Sequence, residues 1–166
     1  MTYREALADF PNQFKYKAEI VNKEKLKPYR RIIIVGMGGS RLAPDILNMV
    51  WPNLDIHIHS DYGLPRLSDD ALADALIIAN SNSGNTAEVL DAAQTAMAKG
   101  YNLAVVTTGG TLAALAQEHG LPHIVMPGVD MATRLNIGRN LVALITLLGL
   151  ELPRGFNTNV NPAVAQ

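Results

Sequence analysis

Five short apolar runs punctuate the chain, at 31–35, 55–59, 75–80, 102–107 and 123–126. Each is rich in Ile, Val or Leu and bounded by turn residues, which predicts a strand. None alternates cleanly between apolar and polar positions, so both faces of each strand are expected to be buried. Helical periodicities separate most of the runs. Leu42, Ile46, Met49 and Val50 share one predicted face, and Val89, Ala93, Ala96 and Met97 share another, with Gly100 placed to cap it. Leu112, Leu115 and Ala116 mark a third helix ending near Gly120, and Leu141, Leu144, Ile145 and Leu148 a fourth ending near Gly149. Ahead of the first strand, Pro11 opens a predicted helix over 11–22 with Phe14, Ala18 and Val21 facing inward.

Such β-α repetition implies an α/β fold with a five-stranded, parallel, doubly wound sheet and right-handed crossovers. With 166 residues, one domain over 1–156 is expected, the 11–22 helix packing on it. The uncharged stretch 157–166 has the composition of a flexible tail. Ligands of doubly wound sheets bind beyond the carboxyl ends of the strands, where the strand order reverses.

Composition narrows the classes. Apolar residues make up 48% and charged residues 17%, which suits a compact α/β protein with buried strands. A net charge of −1 offers no electrostatic footprint for nucleic acid. No apolar run approaches the ~20 residues needed to span a bilayer, so no membrane partner is expected. The absence of cysteine removes disulfides, thiolate catalysis and zinc–thiolate sites, and fits a reducing compartment. The first residues show no signal-peptide h-region, and a cytoplasmic location is expected.

The chemistry gathers after the predicted strands. The third runs into Ser81-Asn82-Ser83-Gly84-Asn85-Thr86, just before a helical pattern that begins at Glu88. Three hydroxyls, the backbone N–H groups of Asn82, Gly84 and Asn85, and the positive end of a helix converge there, with no basic residue among them. That set predicts an anion held by neutral donors, hence a phosphorylated small molecule. Plain helix capping is the competing reading, but it needs only one hydroxyl. The first strand runs into Gly36-Met37-Gly38-Gly39-Ser40, where glycines allow a sharp turn and close approach to a ligand. A dinucleotide fingerprint would match Gly36 and Gly38, with Asp61 imitating the ribose-binding acid, but Arg41 stands where its third glycine belongs. A tight turn without a ligand is the third reading of that loop. After the fourth strand, Thr107-Thr108-Gly109-Gly110-Thr111 either lines the same crevice or only caps the next helix. After the fifth, Arg134 opens the last predicted helix, where a cation opposes the helix dipole. Either it reaches an anionic or polar substrate, or it pairs with Asp130 or with water.

Taken together, these stations resemble the sugar isomerase (SIS) domain. Its phosphosugar signature S-x-S-G-x-T-x-E is matched by Ser81, Ser83, Gly84, Thr86 and Glu88. The branch most similar is the bifunctional phosphoglucose/phosphomannose isomerases. Asp9-Phe10-Pro11-Asn12-Gln13-Phe14 resembles that family's N-terminal segment, and the first loop with Asp45 resembles its first loop. Asp61-Tyr62-Gly63-Leu64-Pro65 and Gly128 with Arg134 resemble two further stretches, in the expected order. The resemblance implies a three-layer αβα sandwich. It implies that Ser81, Ser83 and Thr86 grip a sugar phosphate, that Gly38, Gly39 and Ser40 touch the sugar, and that Arg134 stabilises an enediolate. Arg41 and Pro44 replace residues that are usually small, Asn82 replaces a common tyrosine, and no proline precedes Arg134. The family enzyme carries two SIS domains in one chain, and this chain resembles only the first. The family's glutamate, ring-opening histidine and lysine belong to the second, so none transfers to a residue here.

Aldose–ketose isomerisation needs a base for the proton shuttled between C1 and C2, and a group to open the ring. Of the four histidines, His57, His59, His119 and His123, His59 sits best, near the carboxyl end of the second strand. It is the candidate ring-opening group, and a strand-edge histidine without a catalytic task is the competing reading. Glu88 either orients the serine loop or acts as a base. Glu151 reaches a partner's cleft only if the last helix ends at an interface. The expected function is a phosphoglucose/phosphomannose-type isomerase without metal or other cofactor. The alternatives are a non-catalytic phosphosugar-binding module and one half of a split two-domain isomerase. A homodimer, or pairing with a second SIS domain, is expected because a lone domain would leave the apolar last helix partly uncovered.

Overall fold

The computed structural model describes residues 2–128 and 133–152. Strands β1 (Arg31–Val35), β2 (Ile56–His59), β3 (Ala75–Ser81), β4 (Asn102–Thr107) and β5 (His123–Val125) form one sheet. All neighbours are parallel, in the order β2-β1-β3-β4-β5. The strands predicted from apolar runs are therefore present, with ends shifted by a residue at most. The chain leaves β1 outward for β2 and then crosses back to β3. The strand order thus reverses between β1 and β3, and their carboxyl ends mark the switch point.

Among the described residues, six α-helices accompany the sheet: α1 (Tyr3–Asp9), α2 (Gly39–Val50), α3 (Asp69–Ala73), α4 (Ala87–Ala98), α5 (Gly110–Glu118) and α6 (Ile137–Leu147). Alternate strand residues point to opposite faces. Ile32, Ile34, Leu76, Ile78, Ala104, Val106 and Ile124 meet α2 and α6, whereas Ile33, Val35, Ile77, Ala79, Leu103 and Val105 meet α3, α4 and α5. That is the three-layer αβα sandwich. Ile33, Ile34, Ile77 and Ile78 are fully excluded from water, each contributing about 2 kcal/mol of burial. Gly100, Gly120 and Gly149 close α4, α5 and α6 with positive φ, as their positions predicted.

Three expectations give way. The helix predicted over 11–22 is a 3-10 turn, Phe10–Lys15, after which the backbone turns extended at Tyr16. Its Gln13, the residue the apolar pattern passed over, is buried, while Val21 is exposed and bridges to His123. Side chain–main chain bonding to a distant segment, not helical periodicity, shapes this stretch. Second, α2 buries Ser40, Ala43, Pro44 and Leu47, and leaves Leu42, Met49 and Val50 exposed and Ile46 half-buried. The small Ala43 and Pro44 let the helix lie close, so the bulkier stripe faces outward. Third, α6 is not left bare. Leu141, Leu144, Ile145 and Leu147 are buried, covered by α2 and the Phe10–Lys15 turn. The argument for pairing through the last helix fails, and the unpartnered apolar stripe lies on α2.

Sequence periodicity passed over two short helices. α1 carries a capping box between Thr2 and Glu5, a legible signal, and Ser68 caps α3. Among the described residues no helix is long and apolar enough to cross a membrane. The stretch 157–166 and Asp130 lie outside the described residues.

Candidate functional site

The loops after β1 and β3 lie side by side at the switch point. Gly38 opens α2 with φ 52°, in the left-handed region. Gly39 follows, and a Cβ there would stand 2.9 Å from the Thr133 side chain. The close approach of the glycine loop to the Thr133–Asn136 turn requires a glycine at that position. Ser40 is buried, and its Oγ accepts the N–H of Asn82 at 3.0 Å. The first loop and the serine loop are thereby joined.

Within the serine loop, Ser81 is buried and its Oγ shares a hydrogen bond of 2.8 Å with Thr86 Oγ1. Ser81 Oγ also accepts the Gly84 N–H at 3.1 Å, and Ser83 Oγ accepts the Asn85 N–H at 3.3 Å. Asn82 is bonded through its main chain and its side-chain oxygen. Its carbonyl accepts from Thr108, main chain and hydroxyl, and its Oδ1 accepts from Asn136 Nδ2 at 2.9 Å. The N–H groups of Asn82, Gly84 and Asn85 thus have partners within the fold. Ser83 and Asn85 are the exposed members. Gly84 has φ 70°, and a Cβ there would lie 1.8 Å from Gly109 O, so only glycine fits. The turn after β4 locks the other side: Thr111 N and Oγ1 both donate to Asn85 Oδ1 at 3.0 Å. Every described partner of the loop is a hydroxyl, an amide or a backbone group.

Four helices begin at this edge, and their first turns are not equivalent. Those of α2, α4 and α5, behind Gly38, Thr86 and Gly109, receive no side-chain cap from the residue that precedes them. Of the three, α4 alone leaves its first-turn N–H groups and a partial positive charge to the crevice, because Ser40 and Arg41 N–H in α2 donate to Met37 O and Gly38 O, and Thr111 and Leu112 N–H in α5 donate to Asn85 Oδ1 and Gly84 O. α6 differs. Gln13 Oε1 accepts the N–H of Gly138 at 2.9 Å and of Arg139 at 3.3 Å, so a residue from the far end of the chain caps it. An anion is drawn to the open start of α4 and not to the bonded ones.

Beneath the crevice lies a layer of buried amides that sequence reasoning missed. Asn80 is fully buried. Its Nδ2 donates to Ser40 O at 2.7 Å and to Asn140 Oδ1 at 3.1 Å, and Asn140 Nδ2 returns a bond of 2.7 Å to Asn80 Oδ1. The helical donor for Ser40 O would be residue 44, which is Pro44 and has no N–H. Asn80 supplies the missing donor, and Pro44 is tolerated inside α2. Asn136 is buried too, and joins Asn82, Pro127 O and Arg139. The only sequence signal for this layer is two asparagines, Asn136 and Asn140, on an otherwise apolar helical pattern, and one closing an apolar strand.

The remaining candidates are scattered. Arg134 lies in the 3-10 turn Thr133–Asn136 and not in α6, and it is exposed. No ion pair joins it to another described residue. Arg41 is held at the mouth of the first loop by Asp45 at 3.3 Å and by Ser60 Oγ at 3.0 Å. His59 is half-buried at the end of β2, the outer strand, with Nε2 3.4 Å from Tyr62 O. His57 is exposed on the same strand, and His123 is buried with Nδ1 2.8 Å from Leu121 O. His119 lies at the opposite end of the sheet. No described hydrogen bond ties Glu88 to the serine loop. Among the described residues no three His, Asp or Glu side chains gather as a metal site.

Comparison with known proteins gives this geometry relatives and a fold. No family model matches the chain. It is 32% identical over 160 residues to the bifunctional phosphoglucose/phosphomannose isomerase of Caldicellulosiruptor bescii, covering 90% of this chain and 46% of that protein. Among solved structures, the Vibrio vulnificus NanR protein complexed with ManNAc-6P aligns with a TM-score of 0.56 at 17% identity, over 87% of this chain and 58% of that one. The sugar isomerase domain of the RpiR transcription factor from Sphaerobacter thermophilus aligns with a TM-score of 0.50 at 16% identity, over 87% and 83%. This chain has the SIS fold. It spans about half the length of the curated relatives it matches. In this SIS fold the serine loop, the glycine loop and the Thr133–Asn136 turn meet at one point.

Proposed function

We propose that this SIS domain binds a sugar phosphate and serves aldose–ketose isomerisation of the phosphoglucose/phosphomannose type. The observation that carries the reading is the uncapped start of α4 beside exposed Ser83, with Thr86 at its edge and the Arg134 turn clamped against the same loop. The phosphate sits on the first-turn N–H groups of α4 with the hydroxyls of Ser83 and Thr86, which turn outward from their internal partners as the anion arrives. Gly38, Gly39 and Ser40 line the sugar, Ser40 keeping its acceptor role toward Asn82. Gly84 and Asn85 shape the loop. Arg134 places its guanidinium against the developing enediolate, where positive charge lowers the barrier. A carboxylate base comes from a second chain or domain. His59, at the outer strand, would open the ring only from the rim of the site. Relatives named bifunctional phosphoglucose/phosphomannose isomerase at 30% and 32% identity support the reaction class.

A second reading is a phosphosugar-binding module without turnover. It is favoured by the wholly neutral set of partners around the serine loop, which offers grip without a base. For either reading the exposed α2 stripe of Leu42, Met49 and Val50 supports pairing with a second domain or copy. NMR-monitored conversion of fructose 6-phosphate by the purified chain separates the two. Glucose or mannose 6-phosphate appearing, and vanishing in Ser83→Ala, supports the isomerase. Binding without conversion supports the module or half an enzyme. Neither binding nor conversion refutes both.

A further inference from the structure

The segment Asp9-Phe10-Pro11-Asn12-Gln13-Phe14 has no part in the site as described, yet its central side chain is among the most buried polar groups in the protein. Gln13 is 2% exposed, and both ends of its amide bond to one distant stretch of chain. Its Nε2 donates to Leu135 O, and its Oε1 accepts from the N–H groups of Gly138 and Arg139. One amide therefore spans the junction between the 3-10 turn that carries Arg134 and the helix that follows. The approach is tight: a Cβ at Gly138 would stand 2.7 Å from Gln13 Cβ and 2.9 Å from Oε1. The neighbours of Gln13 reinforce the strap. Asp9 lies 3.7 Å from the Arg139 guanidinium, which donates to Asn136 Oδ1 at 3.1 Å, and Phe10 and Phe14 pack edge to face.

We infer that Gln13 is a positioning residue for Arg134: the N-terminal strap sets the backbone from which the guanidinium reaches the sugar, and it does so without touching ligand. The inference rests on the reading that Arg134 contacts the sugar portion of the substrate. A buried amide is stiff where a water-exposed turn is not, because its three bonds must all be broken in a place that water cannot reach. Capping α6 internally has a second consequence. It withholds the start of α6 from anions, so the phosphate is directed to α4 and Arg134 is left for the sugar oxygens.

The test separates phosphate grip from sugar recognition. Full-length chain is titrated by NMR with fructose 6-phosphate and with inorganic phosphate, as wild type, Arg134→Ala, Gln13→Met, Gly138→Ala and Gln13→Met/Arg134→Ala. The readout is the preference for the sugar phosphate over phosphate alone. Gln13→Met removes the three bonds at nearly constant volume, and Gly138→Ala dislodges an unaltered Gln13, so one reports if the other folds poorly. Both are expected to cut the preference roughly tenfold, as loss of a hydrogen bond to a charged group does. Phosphate affinity should be retained, and no further loss should appear when Arg134 is also removed. A merely structural Gln13 would weaken both ligands in step with the fraction folded, which would overturn the inference. Loss of preference in Arg134→Ala but not in the strap variants overturns it while sparing the reading of the site. No loss in Arg134→Ala removes the role of Arg134 and the inference together.

Discussion

Replacing Asn80 by leucine probes the amide layer under the crevice. Leucine is close to asparagine in size, so the cost lies in the partners left behind and not in a cavity. Ser40 O loses its donor at 2.7 Å, and Pro44 has no N–H to replace it. Asn140 Oδ1 loses the bond from Asn80, and Asn140 Nδ2 keeps only the weak contact with Met126 Sδ at 3.8 Å. The two oxygens left without partners, Ser40 O and Asn140 Oδ1, at about 1–3 kcal/mol each, give a destabilisation of about 2–6 kcal/mol. Against a typical stability of about 5–15 kcal/mol that is severe. At about 2–4 °C per kcal/mol, the melting temperature should fall by about 5–20 °C. Urea unfolding followed by circular dichroism, with calorimetry, reads both quantities. Pro44→Ala supplies the internal control, because alanine restores a helical N–H aimed at Ser40 O. It should recover about 1 kcal/mol more in the Asn80→Leu background than in wild type. An equal effect in both backgrounds would refute the shared-acceptor argument. So would an Asn80→Leu cost below about 1 kcal/mol.

Three further outcomes are expected. Ser83→Ala should weaken fructose 6-phosphate binding by about 1–3 kcal/mol and leave stability within about 0.5 kcal/mol, since Ser83 is exposed and accepts only the Asn85 N–H; titration and thermal melts check the two halves. Gly84→Ala should destabilise by about 2–4 kcal/mol, from left-handed strain and from the collision with Gly109 O 1.8 Å away, and an unchanged unfolding midpoint would contradict the packing of the two loops. Met49→Glu changes a residue 80% exposed on α2, so folding should shift by no more than about 0.5 kcal/mol while self-association in sedimentation equilibrium is lost. If wild type is already monomeric at high concentration, pairing of two copies through α2 is excluded.

Much of the site was legible because it depends on residue types that have few alternative uses. A serine, glycine and threonine cluster after an apolar strand can do little but turn, cap and donate, and the structure puts it at the switch point. Gly84 and Gly38 do adopt positive φ. The free N–H groups were not legible. Whether Asn82 N–H faces a ligand or Ser40 depends on a serine 42 residues away. The apolar pattern over 11–22 passes over Gln13, because periodicity registers one face of one element and cannot register a partner 122 residues distant. The α2 stripe misled for the opposite reason. Leu42, Met49 and Val50 are the greasier face by composition, but the fold buries Ala43, Pro44 and Leu47, where small Ala43 and Pro44 let the helix lie close and Leu47 fills the core.

The sequence by itself determined the elements, their order and the chemistry offered at each strand end. Those depend on local propensity, on apolar runs long enough to be buried on both faces, and on glycines at the turns. Tertiary structure alone decided which helix start stays open, which asparagines are buried, and which face of α2 meets solvent. Each of those depends on the distance between groups far apart in the chain. A buried polar atom must find its partner wherever packing brings one within reach, and linear spacing carries no record of where that is.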